Sequence, residues 1–278
     1  DPDLPYERAR ELVVEAMAPL GDDYAARVER FLGERRVDVY PTRDKRTDIP
    51  AYCPSTATDG AFVLGNFRED VRTTFFFAHE LGHAMNVASH REGPVRYATN
   101  SQAISEVPSI LHELLLAEAM LDRGGALAAA ARSRLVECIG GNLYGAGMGA
   151  AFAHRAASVV ADGGELTPGR LRESYADLRT TFEAPVDFPD DPGRLWFPHA
   201  RRGIYDSYQY VLGATGALVV RDRLREGSLS AADYRELLGA TGREPPVALF
   251  ERLGCDVTDA GAYGRAAAAF DDYLDALA

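Results

Sequence analysis

Apolar positions recur with a helical period along most of the chain. Leu12, Val13, Ala16, Met17 and Leu20 fall near one face of a stretch from 5 to 19, and Pro5 suits its first turn. A second helix is predicted from 22 to 36, with Tyr24, Val28, Phe31 and Leu32 on one side. The period then shortens to two at Val37-Asp38-Val39-Tyr40, a short strand that Pro41 ends. Residues 41–60 are polar and rich in Pro, Thr and Asp, and read as loop; 61–67 are the strongest strand candidate. From Asp70 the pattern is helical again over 71–89, 102–122, 126–160, 167–183, 200–226, 230–240, 245–252 and 258–277. Gly124-Gly125, Gly163-Gly164, Pro185, 189–193, Gly227 and Pro245-Pro246 break it. The glycine-rich run 140–149 follows no strand and lacks a Lys-Ser/Thr pair, so it reads as a kinked helix rather than a phosphate loop. The pattern predicts a mainly α fold with a small sheet. It shows no repeat and no domain boundary, so 1–278 reads as one domain.

Composition narrows the function classes. A length of 278 residues can bury a large core. A net charge of −12 argues against nucleic acid as the partner, because phosphate binding wants a basic face. No apolar run approaches the roughly 20 residues that cross a bilayer. The acidic, proline-broken start does not resemble a secretory signal, and three scattered cysteines (Cys53, Cys138, Cys255) fit a reducing cytoplasm. Lys45 is the sole lysine among 30 basic residues, against 42 acids. Such a self-repelling surface suits high salt, where screening removes the repulsion, and predicts a halophilic source.

The chemistry concentrates at His79-Glu80-Leu81-Gly82-His83, flanked by apolar residues on both sides. On a helix the i, i+4 spacing brings both imidazoles to one face, where they can share a tetrahedral Zn2+. Glu80 lies one step round the helix, placed to take a proton from a zinc-bound water. Such a site needs a third protein ligand. Asn86 and Ser89 stand where a metzincin would have Gly and His, so that class is excluded. The candidates are Glu92, Glu106, Glu113 and Glu118. Glu92 sits in a polar loop and Glu118 is expected to face solvent. Glu106 and Glu113 lie two turns apart on one apolar helix. A buried acidic pair needs partners: a metal for Glu106 and a hydrogen-bonded ligand histidine for Glu113 would supply them.

These residues resemble one family. His79-Glu80-Leu-Gly-His83-Ala-Met followed by Glu106-Val-Pro-Ser is similar to the thimet oligopeptidase and oligoendopeptidase F group of zinc peptidases, with oligoendopeptidase F the nearer. Lys45-Arg46 and Ala51-Tyr52-Cys53 resemble the family's loop before the site, and Phe197-Pro198-His199 with the tyrosines after it resembles its late His/Tyr helix. The resemblance implies a zincin-type (gluzincin) catalytic lobe with the small sheet beside the active-site helix. It implies His79, His83 and Glu106 as zinc ligands, Glu80 as general base and then proton shuttle, and Glu113 behind the ligand histidine. His199 and one or two of Tyr205, Tyr208 and Tyr210 would stabilise the oxyanion. Phe62, Val63, Leu64 and Gly65 would belong to an edge strand that pairs with extended peptide. Family members are about twice as long, and their N-terminal half closes a channel over the site; here a lid would come from a separate region or a second chain.

The function expected is therefore zinc-dependent hydrolysis of internal bonds in short peptides. The rivals are a zinc hydrolase of a non-peptide amide and a zinc-binding assembly protein without turnover. His90 is expected on a loop surface, and His112 and His154 as structural residues.

Overall fold

The computed structural model describes residues 2–46, 48–90, 101–188, 191–201 and 205–275. The chain opens with two amphipathic helices, α1 (Tyr6–Ala16) and α2 (Asp22–Gly33), which bury the apolar faces read from the sequence. Five very short strands follow: β1 (Val37–Asp38), β2 (Ala51–Tyr52), β3 (Ser55–Thr56), β4 (Gly60–Ala61) and β5 (Val63–Gly65). Next come α3 (Val71–His90) and α4 (Gln102–Arg123), the most extensively packed helix pair. Asp70 caps α3: its carboxylate accepts from the Thr73 amide at 2.6 Å and the Thr73 hydroxyl at 2.7 Å. Gly124 and Gly125 both have positive φ and end α4.

The remaining helices are α5 (Gly125–Ile139), α6 (Ala146–Ala161), α7 (Pro168–Phe182), α8 (Trp196–Arg201), α9 (Tyr208–Glu226), α10 (Ala231–Ala240), α11 (Pro246–Arg252) and α12 (Ala260–Asp275). Between α5 and α6 the backbone makes a π-helical turn, Gly140–Gly145, so the glycine-rich run is a wide helical turn within a continuing helix. The expected helix 200–226 divides, because Tyr205 has φ +66°, a left-handed conformation no α-helix contains. No described helix is long and apolar enough to cross a membrane.

Packing resolves into two units, Asp1–Cys138 with Leu212–Ala278, and Ile139–Val211. In the first, α3 is covered by α4, by α10 and by the sheet. Buried His112 on α4 accepts a hydrogen bond at Nε2 from Tyr24 (2.8 Å) and donates from Nδ1 to the carbonyl of Ala78 on α3 (3.1 Å). Burial lowers its pKa to about 3 against the opposing pull of the Ala78 hydrogen bond, so it packs as a neutral imidazole. The second unit has its own core of Met148, Phe152, Tyr175 and Leu178, with Ala151, Leu171 and Trp196 against it.

Three expectations are corrected. The strand expected over 61–67 is two pieces, and the piece containing Val63, Leu64 and Gly65 is not an edge. The sheet order is β1-β5-β2, with β5 parallel to β1 and antiparallel to β2. Phe62 lies between the pieces, its amide donating to the Pro54 carbonyl at 2.8 Å. No ladder position of β5 is open to an added strand. Second, His90 is buried at the end of α3, where Nδ1 lies 3.3 Å from the Thr241 hydroxyl. Third, Glu118 does not simply face solvent: it accepts from Tyr273 at 2.8 Å and pairs with Arg221 at 3.4 Å, tying α4 to α9 and α12.

Candidate active site

The apolar stretch around the His-Glu-x-x-His motif makes α3 a mostly buried helix, and its exposed stripe carries His79, Glu80 and His83, all half-buried. Glu106 and Glu113 come from α4, both buried. Glu106 Oε2 lies 3.4 Å from His79 Nε2 and 3.6 Å from His83 Nε2. One ligand atom from each of the three residues falls within 4.8 Å of the others. Donors held about 2.0–2.2 Å from one ion at tetrahedral angles stand roughly 3.3–3.6 Å apart, so the two contacts of Glu106 with the histidines have the spacing of ligands that share a metal.

The outer partners fix the donors. His79 Nδ1 donates to Glu113 Oε1 at 2.7 Å, which turns its Nε2 toward Glu106. His83 Nδ1 lies 3.1 Å from the Ser105 hydroxyl. Ser109 donates to Glu106 Oε2 at 3.1 Å, and Gln102 donates to the other oxygen at 3.4 Å. The electrostatics ask for a cation at the centre. Burial opposes charge on His79, yet its hydrogen bonds to Glu106 and Glu113 outweigh burial and lift its pKa well above the usual value. Burial also opposes ionisation of Glu106, but the His79 contact wins and its pKa falls to about 2. Burial, with the His79 charge adding, lowers His83 to about 4, so it presents a neutral imidazole. A group of two imidazoles and a carboxylate that favours positive charge fits zinc better than the hard, oxygen-seeking cations. Glu113→Gln is expected to keep the fold and weaken metal affinity 10- to 100-fold, read by competition with a chelating dye.

Glu80 stands beside the donor set and does not join it. Burial raises its pKa to about 7, helped by Glu106 and Glu113 and opposed by His79 and by a hydrogen bond from the Cys53 amide. That amide lies just past the end of β2. The pairs Tyr52–Leu64, Pro50–Asn66 and Pro54–Phe62 place the hydrogen bonds of even residues toward β5. The backbone groups of Ala51 and Cys53 therefore point to the other side, along the free edge of β2. The edge strand at the site is β2, which lies within the polar stretch 41–60 expected as loop.

Two glycines make the site possible, and the sequence reading passed over both. A Cβ on Gly82 would lie 2.4 Å from the Ser109 Cα and 2.5 Å from the Pro108 carbonyl oxygen. A Cβ on Gly213 would lie 2.3 Å from the Glu106 Cβ. Backbone-to-backbone approach at these points seats α4 against α3 and α9 against Glu106. The only sequence signal was the small residue between the two histidines.

His199, Tyr205, Tyr208 and Tyr210 belong to the other packing unit. Tyr205 and Tyr208 are exposed and Tyr210 is half-buried at the start of α9; His199 lies in α8, its side chain outside the described residues. Glu92 also lies outside them.

Sequence comparison adds to this geometry. The profile of peptidase family M3 matches residues 11–269. The chain is 28% identical over 279 residues to oligopeptidase PepF of Bacillus subtilis, covering 98% of this chain and 41% of that one. A crystal structure of a Chlamydophila abortus protein superposes with a TM-score of 0.84 at 23% identity, over 99% of this chain and 47% of that chain. That of oligoendopeptidase-F from Enterococcus faecium gives 0.68 at 20% identity, over 99% and 43%. The structural likenesses show a shared fold: mainly α, with the small sheet beside the motif helix. The chain spans less than half the length of these relatives.

Proposed function

The chain belongs to peptidase family M3, and from that premise we propose that it is a zinc-dependent oligopeptidase cutting internal bonds of short peptides. The observation that carries this reading is the clustering of His79, His83 and Glu106 at metal-sharing distances, with Glu80 beside the cluster and outside it. A purely structural metal site has no use for a half-buried carboxylate in that place.

Zinc, when bound, polarises the scissile carbonyl and makes the attacking water more acidic. Glu80 takes the water proton as its oxygen bonds to the carbonyl carbon, then delivers that proton to the leaving nitrogen as the C–N bond breaks. Glu113 and Ser105 hold the two imidazoles in the tautomer that directs Nε2 inward. The peptide adds to the free edge of β2 through the backbone of Ala51 and the carbonyl of Cys53, which gives affinity with little sequence preference. By family resemblance, His199 and one or two of Tyr205, Tyr208 and Tyr210 supply the donor to the developing oxyanion. The same resemblance puts a lid on a separate N-terminal region or a second chain. The lysine-poor, acidic composition and the three scattered cysteines go with a cytoplasm of high salt.

The reading is tested with an internally quenched nonapeptide at low and multimolar salt. Cleavage that stops on chelation and returns with one equivalent of zinc supports it. Cleavage indifferent to chelation contradicts it.

A further inference from the structure

The exposed stripe of α3 continues toward its N-terminus beyond the metal ligands. Arg72 and Phe76 fall at i−7 and i−3 from His79, on the same face. A cleft of about 230 Å3 opens there. Arg72 and Phe76 of α3, Asp48 and Pro50 leading into β2, and Arg68 and Asp70 before α3 all line it. The cleft thus lies at the start of the edge strand whose far end touches Glu80.

Its charges are unevenly matched. Asp48 is held by Arg46 through two bonds of 3.0 and 2.6 Å. Asp70 is engaged in capping α3. Among the described residues the Arg68 guanidinium has no hydrogen-bond or ion-pair partner. Arg72 lies only over the Phe76 ring, 5.7 Å from its centroid. Two guanidiniums without acidic partners among the described residues therefore line one cleft beside the start of a 20-residue helix, in a chain of net charge −12. Guanidiniums without a carboxylate partner favour an anion.

We propose that this cleft is a carboxylate-binding subsite of the peptide groove, and that Arg68 and Arg72 select peptides carrying a carboxylate two or three residues from the cut bond. The inference rests on the peptidase reading above and adds the substrate class. Eight helical residues separate Arg72 from Glu80, about 12 Å along the axis, and an arginine arm shortens that by several ångströms. An extended peptide rises about 3.3 Å per residue, which sets the spacing at two to three residues. The Phe76 ring offers an apolar seat to the side chain next to the carboxylate. A peptide C-terminus and an aspartate or glutamate side chain present the same carboxylate chemistry.

The test uses three peptides of one sequence: a free C-terminal acid ending three residues past the cut, its C-terminal amide, and the amide with glutamate at that third position. Wild type is expected to favour at least one carboxylate peptide over the neutral amide by roughly tenfold or more in kcat/KM, through KM. Preference for the free acid alone assigns the cleft to the C-terminus, and preference for the glutamate peptide assigns it to a side chain; either supports the proposal. In the double variant R68A/R72A and in R72E the preference is expected to fall to one or invert, whereas R8A on α1 retains it. A wild-type preference below about twofold, or one that survives in R68A/R72A, overturns the proposal. Cleavage of the neutral amide shows in either case that the peptidase reading stands. If no peptide is cut, that reading fails instead, and the same ratios are read as dissociation constants on Glu80→Gln by fluorescence anisotropy.

Discussion

Glu80→Gln protein is expected to bind one zinc with unchanged affinity and to lose peptide cleavage by a factor of about 10²–10⁴ or more. The glutamine has nearly the same shape and still accepts the Cys53 amide hydrogen bond through its carbonyl oxygen. It cannot take a proton from water. None of the three metal donors is touched, since Glu80 lies outside their set. The change therefore separates proton transfer from metal binding. Loss of metal along with activity would instead mean that Glu80 helps to build the site. Activity within tenfold of wild type would remove it from the proton path altogether.

Gly82→Ala is expected to be the most damaging single methyl group in the larger unit. The added carbon would meet backbone, the Ser109 Cα at 2.4 Å and the Pro108 carbonyl oxygen at 2.5 Å. Backbone cannot swing aside as a side-chain tip can, so α4 must move as a whole. Overpacking of this kind costs about 1–3 kcal/mol and at times more. The displacement also carries Glu106 and Glu113 away from the two histidines, so metal affinity is expected to fall at least tenfold beyond the loss in stability. Gly33→Ala is the control, because a Cβ there meets nothing within 4 Å. Thermal denaturation and zinc titration of both variants check this; equal behaviour would show that α3 and α4 do not depend on that approach.

What could be read from the sequence divides along physical lines. The helices announce themselves because their apolar faces repeat over many turns, as in α1, α3 and α4. The metal motif is legible because its two histidines and glutamate share one short segment, and the acidic stripe of Glu106 and Glu113 is legible because acids on a buried face need partners. The strands of two or three residues are too short for a period to show, so β2 and β3 were hidden in a polar stretch. Which strand is the edge depends on pairing between distant segments, and β5 has both sides filled by residues 26 and 13 positions or so before it in the chain. The roles of Gly82 and Gly213 are likewise facts of tertiary approach, visible only when the helix opposite is in place. His90 and Glu118 were misjudged for the same reason: the partners that bury them, Thr241, Arg221 and Tyr273, lie more than 100 residues away in the chain.

The measurement that tests the central claim most directly is mass spectrometry of a mixed oligopeptide pool digested by zinc-loaded wild type and, in parallel, by zinc-loaded Glu80→Gln. The account predicts new internal fragments with the wild type, none above background with the variant, and one zinc bound to each. Fragments of equal yield from both proteins would contradict it, as would an intact pool with stoichiometric zinc bound to the wild type.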